Sequence, residues 1–134
     1  MARYATEVLL QLERYVEAME RPEQQLCAFV DLYRAALQEG GSLCLCIAFI
    51  VSRDGLAPET RHEITQYRRA VEHWLRLRFE QAQTYQSLPK GFGAPRHEAA
   101  AALALVEGAQ LSARMTGDPT RFDIATQAFR DRLC

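Results

Sequence analysis

Positive charge, lysine, strand patterning and long apolar runs are all scarce in this sequence, and each scarcity excludes something. Sixteen Lys+Arg stand against seventeen Asp+Glu in 134 residues, a formal charge of -1. The chain therefore has no bulk positive surface with which to grip nucleic acid. Its cations are nearly all arginine, with Lys90 the one lysine. The longest apolar run, Leu43 to Val51, is too short to cross a bilayer as a helix, so no membrane contact is expected. Glu7, Glu13 and Glu17 break the pattern of a signal or transit peptide. The cytosol is the expected compartment, where Cys27, Cys44, Cys46 and Cys134 are expected as thiols rather than disulfides.

What is present is helical periodicity. Tyr4, Val8, Leu12, Tyr15 and Met19 fall at spacings of three and four, one face of a first helix within residues 1–20. Arg21-Pro22 interrupts it and opens a second, lined by Leu26, Phe29, Val30, Tyr33 and Leu37 and ended by Gly40-Gly41. Ser42 caps a short apolar third element, Leu43 to Val51. Its β-branched residues lean towards strand, but no second strand is available to pair its backbone groups, so it reads as a buried helix. Pro58 opens the longest segment, Glu59 to Tyr85, with Ile64, Tyr67, Val71, Trp74, Leu75, Phe79 and Ala82 as its core face. At 1.5 Å per residue it is about 40 Å long. Gln86 to Pro95 is a linker rich in proline and glycine. A fifth helix runs from Arg96 to Thr116 and stops at Gly117. Asp118-Pro119 then restarts the chain as cap and first helical residue. Phe122, Ala125, Ala128, Phe129 and Leu133 stripe the last helix. The expectation is a single all-α domain over 1–134, an orthogonal or up-down bundle of about six helices.

The fifth helix is apolar around more of its circumference than one packing face requires. Leu103, Val106 and Gln110 share one side; Leu105, Ser112 and Met115 turn away. Small residues at Ala101, Ala104, Gly108 and Ala109 permit close approach, and Gly108 itself costs about 1 kcal/mol of helix propensity relative to alanine. A helix apolar on both sides has to be covered on both sides. A second copy of the chain supplies the outer cover if residues 96–134 form a two-fold four-helix contact. Ala101, Leu105, Gly108, Ser112, Met115, Phe122 and Phe129 are its expected contact residues. The alternative is a monomer in which that helix is simply central.

Catalytic patterns are thin. His62, His73 and His97 are too dispersed for one metal, and Cys44-Leu45-Cys46 lacks the second pair that a structural zinc needs. With no phosphate loop, nucleophile elbow or carboxylate pair, neither an enzyme nor a cofactor is expected. A small-molecule pocket has better support. Phe29, Tyr33, Phe49, Tyr67 and Trp74 must converge around the short third helix, and the hydroxyls of Tyr33 and Tyr67 would orient a ligand. Gln66 and His73 are candidate additional contributors from the long helix, with Arg68 and Arg76 expected to turn outward. That distribution of charge favours an uncharged or aromatic ligand. From spacing alone, ordinary core packing is the more economical account of the same aromatics. Cys46 reads as an inert buried thiol or, with a depressed pKa and access, as a sensor.

Taken in order, LCAFVDLYRAALQEGG, SLCLCIAFIVSRDGLAPETR and EAAAALALVEGAQLSARMTGDP resemble the carboxy-terminal effector-binding region of the tetracycline-repressor (TetR) family of transcription regulators. ARYATEVLLQLERYVEAM is similar to the connector helix that follows the family's DNA-reading module. The resemblance implies a homodimer, with the last two long helices of each subunit as its interface. It also implies a small-molecule effector near Phe29, Tyr33, Cys46, Phe49, Tyr67, Val71 and Trp74, and control of operator DNA through an amino-terminal helix-turn-helix. The residues of that module are not found in this sequence, and truncation is the favoured explanation. A helical homodimer without a ligand is the alternative reading.

Overall fold

A computed structural model describes residues 2–38, 55, 57–89 and 91–133, with the side chains of 2–4 excepted. Five helices occupy the described residues: α1 (Ala2–Ala18), α2 (Pro22–Gln38), α3 (Pro58–Thr84), α4 (Pro95–Thr116) and α5 (Thr120–Leu133). No strand occurs among them. The short helix expected over Leu43 to Val51, with Cys44, Cys46 and Phe49, lies outside the described residues.

Local chemistry sets the boundaries. Prolines stand at the first turn of α2, α3 and α4, where the missing N–H had no helical partner anyway. The turn before α2 is tied by Gln25, whose buried side-chain amide donates to the Met19 carbonyl at 2.7 Å. Gly117 ends α4 with φ of 66°, and its N–H and that of Asp118 bond back to Arg114 and Ala113. That left-handed residue is one a Cβ would strain. Asp118 then caps α5, accepting from the backbone N–H of Thr120 at 3.0 Å and from its hydroxyl at 2.7 Å.

The predicted inner faces pack together. α2 touches all four other helices, and its Leu26, Phe29 and Val30 are fully buried. All seven core positions read along the longest segment are buried on α3. On α4 the inner face is Ala99, Ala102, Leu103, Val106, Ala109, Gln110 and Ala113. Four small side chains there, Ala99, Ala102, Ala109 and Ala113, let α4 sit close to α3 and α5, the two helices it contacts most extensively. Burying such faces provides the main driving force, about 25 cal/mol per Å² of apolar surface.

α5 departs from expectation in its register. Phe122, Thr126, Phe129 and Leu133 form the buried row, whereas Ala125 and Ala128 face solvent. Spacings of four, three and four define a single helical face, and the two alanines lie off it. The Thr126 hydroxyl is kept satisfied by donating to the Phe122 carbonyl at 2.9 Å.

Candidate functional site

The aromatic cluster expected from the sequence assembles where α2 crosses α3. Phe29, Tyr33, Tyr67, Val71 and Trp74 are all buried, from 0% to 8% exposed. The Phe29 ring lies 4.9 Å from that of Tyr33 and 6.2 Å from that of Trp74, both tilted. Such tilted pairs are favourable beyond their buried area. Cys46 and Phe49, the other two expected ligand contacts, lie outside the described residues. Gln66 and His73 do not join the cluster; both are exposed, because they lie off the face that carries Tyr67, Val71 and Trp74. His73 instead meets Arg76 at 3.0 Å on the surface.

Polar atoms in this region are unevenly satisfied. The indole N–H of Trp74 is buried and has no hydrogen-bond partner. Arg78, one turn further along α3, stacks its guanidinium over the Trp74 ring at 5.4 Å, and its Nε is buried without a partner. Burial pushes this guanidinium below its usual range.

Two polar links join α4 to the helices that carry the cluster. Gln110, fully buried, donates from its amide nitrogen to the Tyr33 carbonyl at 3.1 Å. Arg68 clasps Glu107 with two bonds of 2.9 and 2.7 Å. Arg68 was expected to point into solvent; the half-buried carboxylate on α4 draws it inward instead. Periodicity places a residue on a face but does not reveal the charge waiting on the next helix.

The outer side of α4 is a different surface. Ala101, Ala104, Gly108, Leu111 and Met115 are exposed, while Leu105 and Ser112 are half-buried. Met115 is 78% exposed, and Ile124 on the neighbouring α5 is 63% exposed. A Cβ added at Gly108 would meet nothing within 4 Å, so no close approach inside the subunit accounts for this glycine. Phe122 and Phe129, expected on the same contact, are 0% and 6% exposed and belong to the subunit's own core. On α5 the outward apolar residues are Ile124, Ala125 and Ala128, among exposed charged and polar neighbours.

Two concavities are lined by described residues. A groove of about 930 Å³ lies between the α1–α2 turn and the end of α5, near Met19, Glu23, Cys27 and Leu133. One of about 240 Å³ lies under the linker, near Phe79, Leu88 and Phe92. Neither reaches Phe29, Tyr33, Tyr67, Val71 or Trp74. Among the described residues no group of three or more His, Cys, Asp or Glu is placed to hold a metal ion. No helix of the described residues is long and apolar enough to cross a membrane.

A family model described as the tetracyclin repressor-like C-terminal domain matches residues 22–129. Among solved structures, a TetR-family transcriptional regulator from Agrobacterium tumefaciens superposes with a TM-score of 0.88 at 23% identity. The match covers 98% of this chain and 69% of that one. Escherichia coli NemR in its reduced form gives 0.84 at 20% identity, over 96% of this chain and 68% of that one. A TetR transcriptional regulator from Chloroflexus aurantiacus J-10-FL gives 0.76 at 20% identity, over 96% and 66%. At these identities the likeness in structure speaks for the fold. No curated protein matches significantly in sequence.

Proposed function

The chain belongs to the tetracycline-repressor family of transcription regulators, and from that premise we propose that it is a ligand-sensing and dimerisation domain. The effector is a small molecule with an apolar or aromatic body, received by Phe29, Tyr33, Tyr67, Val71 and Trp74 together with Cys46 and Phe49. Subunits pair through the outer faces of α4 and α5. Operator DNA is read in the intact regulator by a helix-turn-helix that α1 connects to this domain. The net charge of -1 fits a domain that does not itself hold DNA. The cytoplasm is where such a regulator works, and the domain carries out no catalysis.

The observation that carries this reading is the two-sidedness of α4. Its inner side is bonded to the aromatic cluster through Gln110–Tyr33, Glu107 ties it to α3 through Arg68, and its outer side presents small and apolar residues to solvent. Occupancy of the cluster and the geometry of the subunit contact therefore act on one helix. A ligand that prefers one of two dimer geometries shifts their populations. Coupling of about 1–3 kcal/mol changes affinity roughly 5–150-fold.

Close aromatic packing also favours the rival reading, a helical dimer with a solid core. Titration with 2-naphthamide, a neutral aromatic probe, separates the two. Saturable quenching of Trp74, the single tryptophan, with a raised melting temperature, is the expected result. A flat response in both readouts to this probe and to its acid, 2-naphthoate, contradicts the sensor and leaves the solid core.

A further inference from the structure

Arginines that cross between helices in this protein find carboxylates. Arg34 meets Asp123 at 2.7 Å, Arg68 meets Glu107 at 2.7 Å, Arg130 meets Asp31 at 2.7 Å and Arg132 meets Glu98 at 3.0 Å. Arg78 is the contrast. It is half-buried, and no carboxylate of the described residues pairs with it. Its guanidinium lies over the face of Trp74, 5.4 Å from the ring centroid. A ring face attracts the cation but accepts no in-plane hydrogen bond from the guanidinium fork.

Trp74 shows the same deficiency. The residue is 8% exposed, and its N–H lacks an acceptor. Residues four apart lie on one face of a helix, so two donors without acceptors stand together on α3, at the edge of the aromatic cluster. Buried donors are ordinarily satisfied, and an exception calls for a partner. The partner that suits a planar guanidinium beside an N–H is a carboxylate, which has two oxygens in one plane. Apolar surroundings (Phe29, Val71 and the rings of Tyr33 and Tyr67) suit an organic body rather than a bare ion.

We propose that the effector is an organic carboxylate, its acid group held by Arg78 and the Trp74 indole N–H and its apolar body lying against the Phe29–Tyr67 cluster. The proposal rests on the reading of this cluster as the effector site. It replaces the uncharged molecule that the sequence favours with an anion, because Arg78 turns its stem and Nε into the protein rather than into solvent.

The test uses the full chain with 2-naphthoate, 2-naphthamide and inorganic phosphate, followed by Trp74 fluorescence and by melting temperature. Naphthoate is expected to bind about tenfold or more tightly than naphthamide, as a charge-assisted forked contact requires. Arg78→Gln brings the two affinities to within about twofold of each other, the larger loss falling on the acid. Without ligand, Arg78→Gln melts at or above the wild-type temperature, since it removes a desolvated charge that has no counter-charge. Arg78→Lys retains part of the preference for the acid and serves the same comparison if the glutamine variant does not fold. Equal wild-type affinity for acid and amide overturns the carboxylate and leaves the pocket standing. A ligand-free Arg78→Gln that melts several degrees lower also overturns it, by revealing a counter-charge within the chain. Phosphate binding as tightly as naphthoate overturns the organic acid, and failure of both naphthyl probes removes the effector site itself.

Discussion

The two sides of α4 are built from similar residues and end in opposite conditions. Inward, Ala99, Ala102, Leu103, Val106, Ala109 and Ala113 are at most 4% exposed, and Gln110 has found the Tyr33 carbonyl. Outward, Ala101, Ala104, Gly108, Leu111 and Met115 meet solvent. An ordinary surface helix would carry charges on that outer side. The difference teaches that apolar character alone does not define a subunit's core. One set of alanines closes the subunit, and the other is available to a second subunit.

Substitutions of like kind on the two sides break the comparison most sharply. Leu103→Ala opens a cavity in the packed side and is expected to cost about 2–5 kcal/mol in chemical denaturation. Leu111→Ala on the outer side stays within about 0.5 kcal/mol when measured at concentrations low enough to keep the chain monomeric. Equal losses would mean that both sides are packed within one subunit. Gln110→Ala, which removes the link to Tyr33, is expected to cost about 1–3 kcal/mol by the same measurement.

Gly108→Ala reverses the sign. Nothing inside the subunit obstructs a Cβ there, so the dilute monomer gains about 0.5–1 kcal/mol of helix stability. The proposed dimer is expected to dissociate more readily, because its contact would place the methyl group against the twin helix, and sedimentation checks this. A variant that gains stability and dimerises as tightly as wild type would move the contact away from Gly108.

The smallest effect is at the α4–α5 corner. Hydrogen bonds from the Thr120 side chain and backbone hold the Asp118 carboxyl below its ordinary value. A depressed folded-state pKa contributes stability above about pH 4, lost as the pH falls through the folded value. Asp118→Ala should therefore melt below wild type at neutral pH, and the two curves should converge in acid. A gap independent of pH would assign the loss to something other than the cap.

Much of this fold is legible in the chain itself, because it is governed by spacing and punctuation. The seven buried residues of α3, the break at Arg21-Pro22 and the cap at Asp118 all follow from periods and dihedral preferences. Contacts between helices are less legible. Nothing in the local pattern of α3 draws Arg68 to Glu107, thirty-nine residues on. Phe122 and Phe129 carry the strongest apolar signal on α5, and the sequence places them at a subunit contact. They are instead the residues the subunit itself buries, and the weaker signals of Ile124, Ala125 and Ala128 mark the outer face. The candidate ligand residues Phe29, Tyr33, Tyr67, Val71 and Trp74 do come together. The Trp74–Arg78 pair was detectable as an arginine four residues beyond a tryptophan on a core face, but its lack of a counter-charge becomes visible only once the neighbouring helices are in place.

Sedimentation equilibrium over a wide concentration range tests most directly whether the outer side of α4 is covered by a twin. The account predicts a particle of twice 15.2 kDa for the wild-type chain, and one of 15.2 kDa once Gly108→Glu places a charge in the contact. A wild-type chain that remains at the single mass at the highest concentration would contradict it, as would a Gly108→Glu variant that dimerises unchanged.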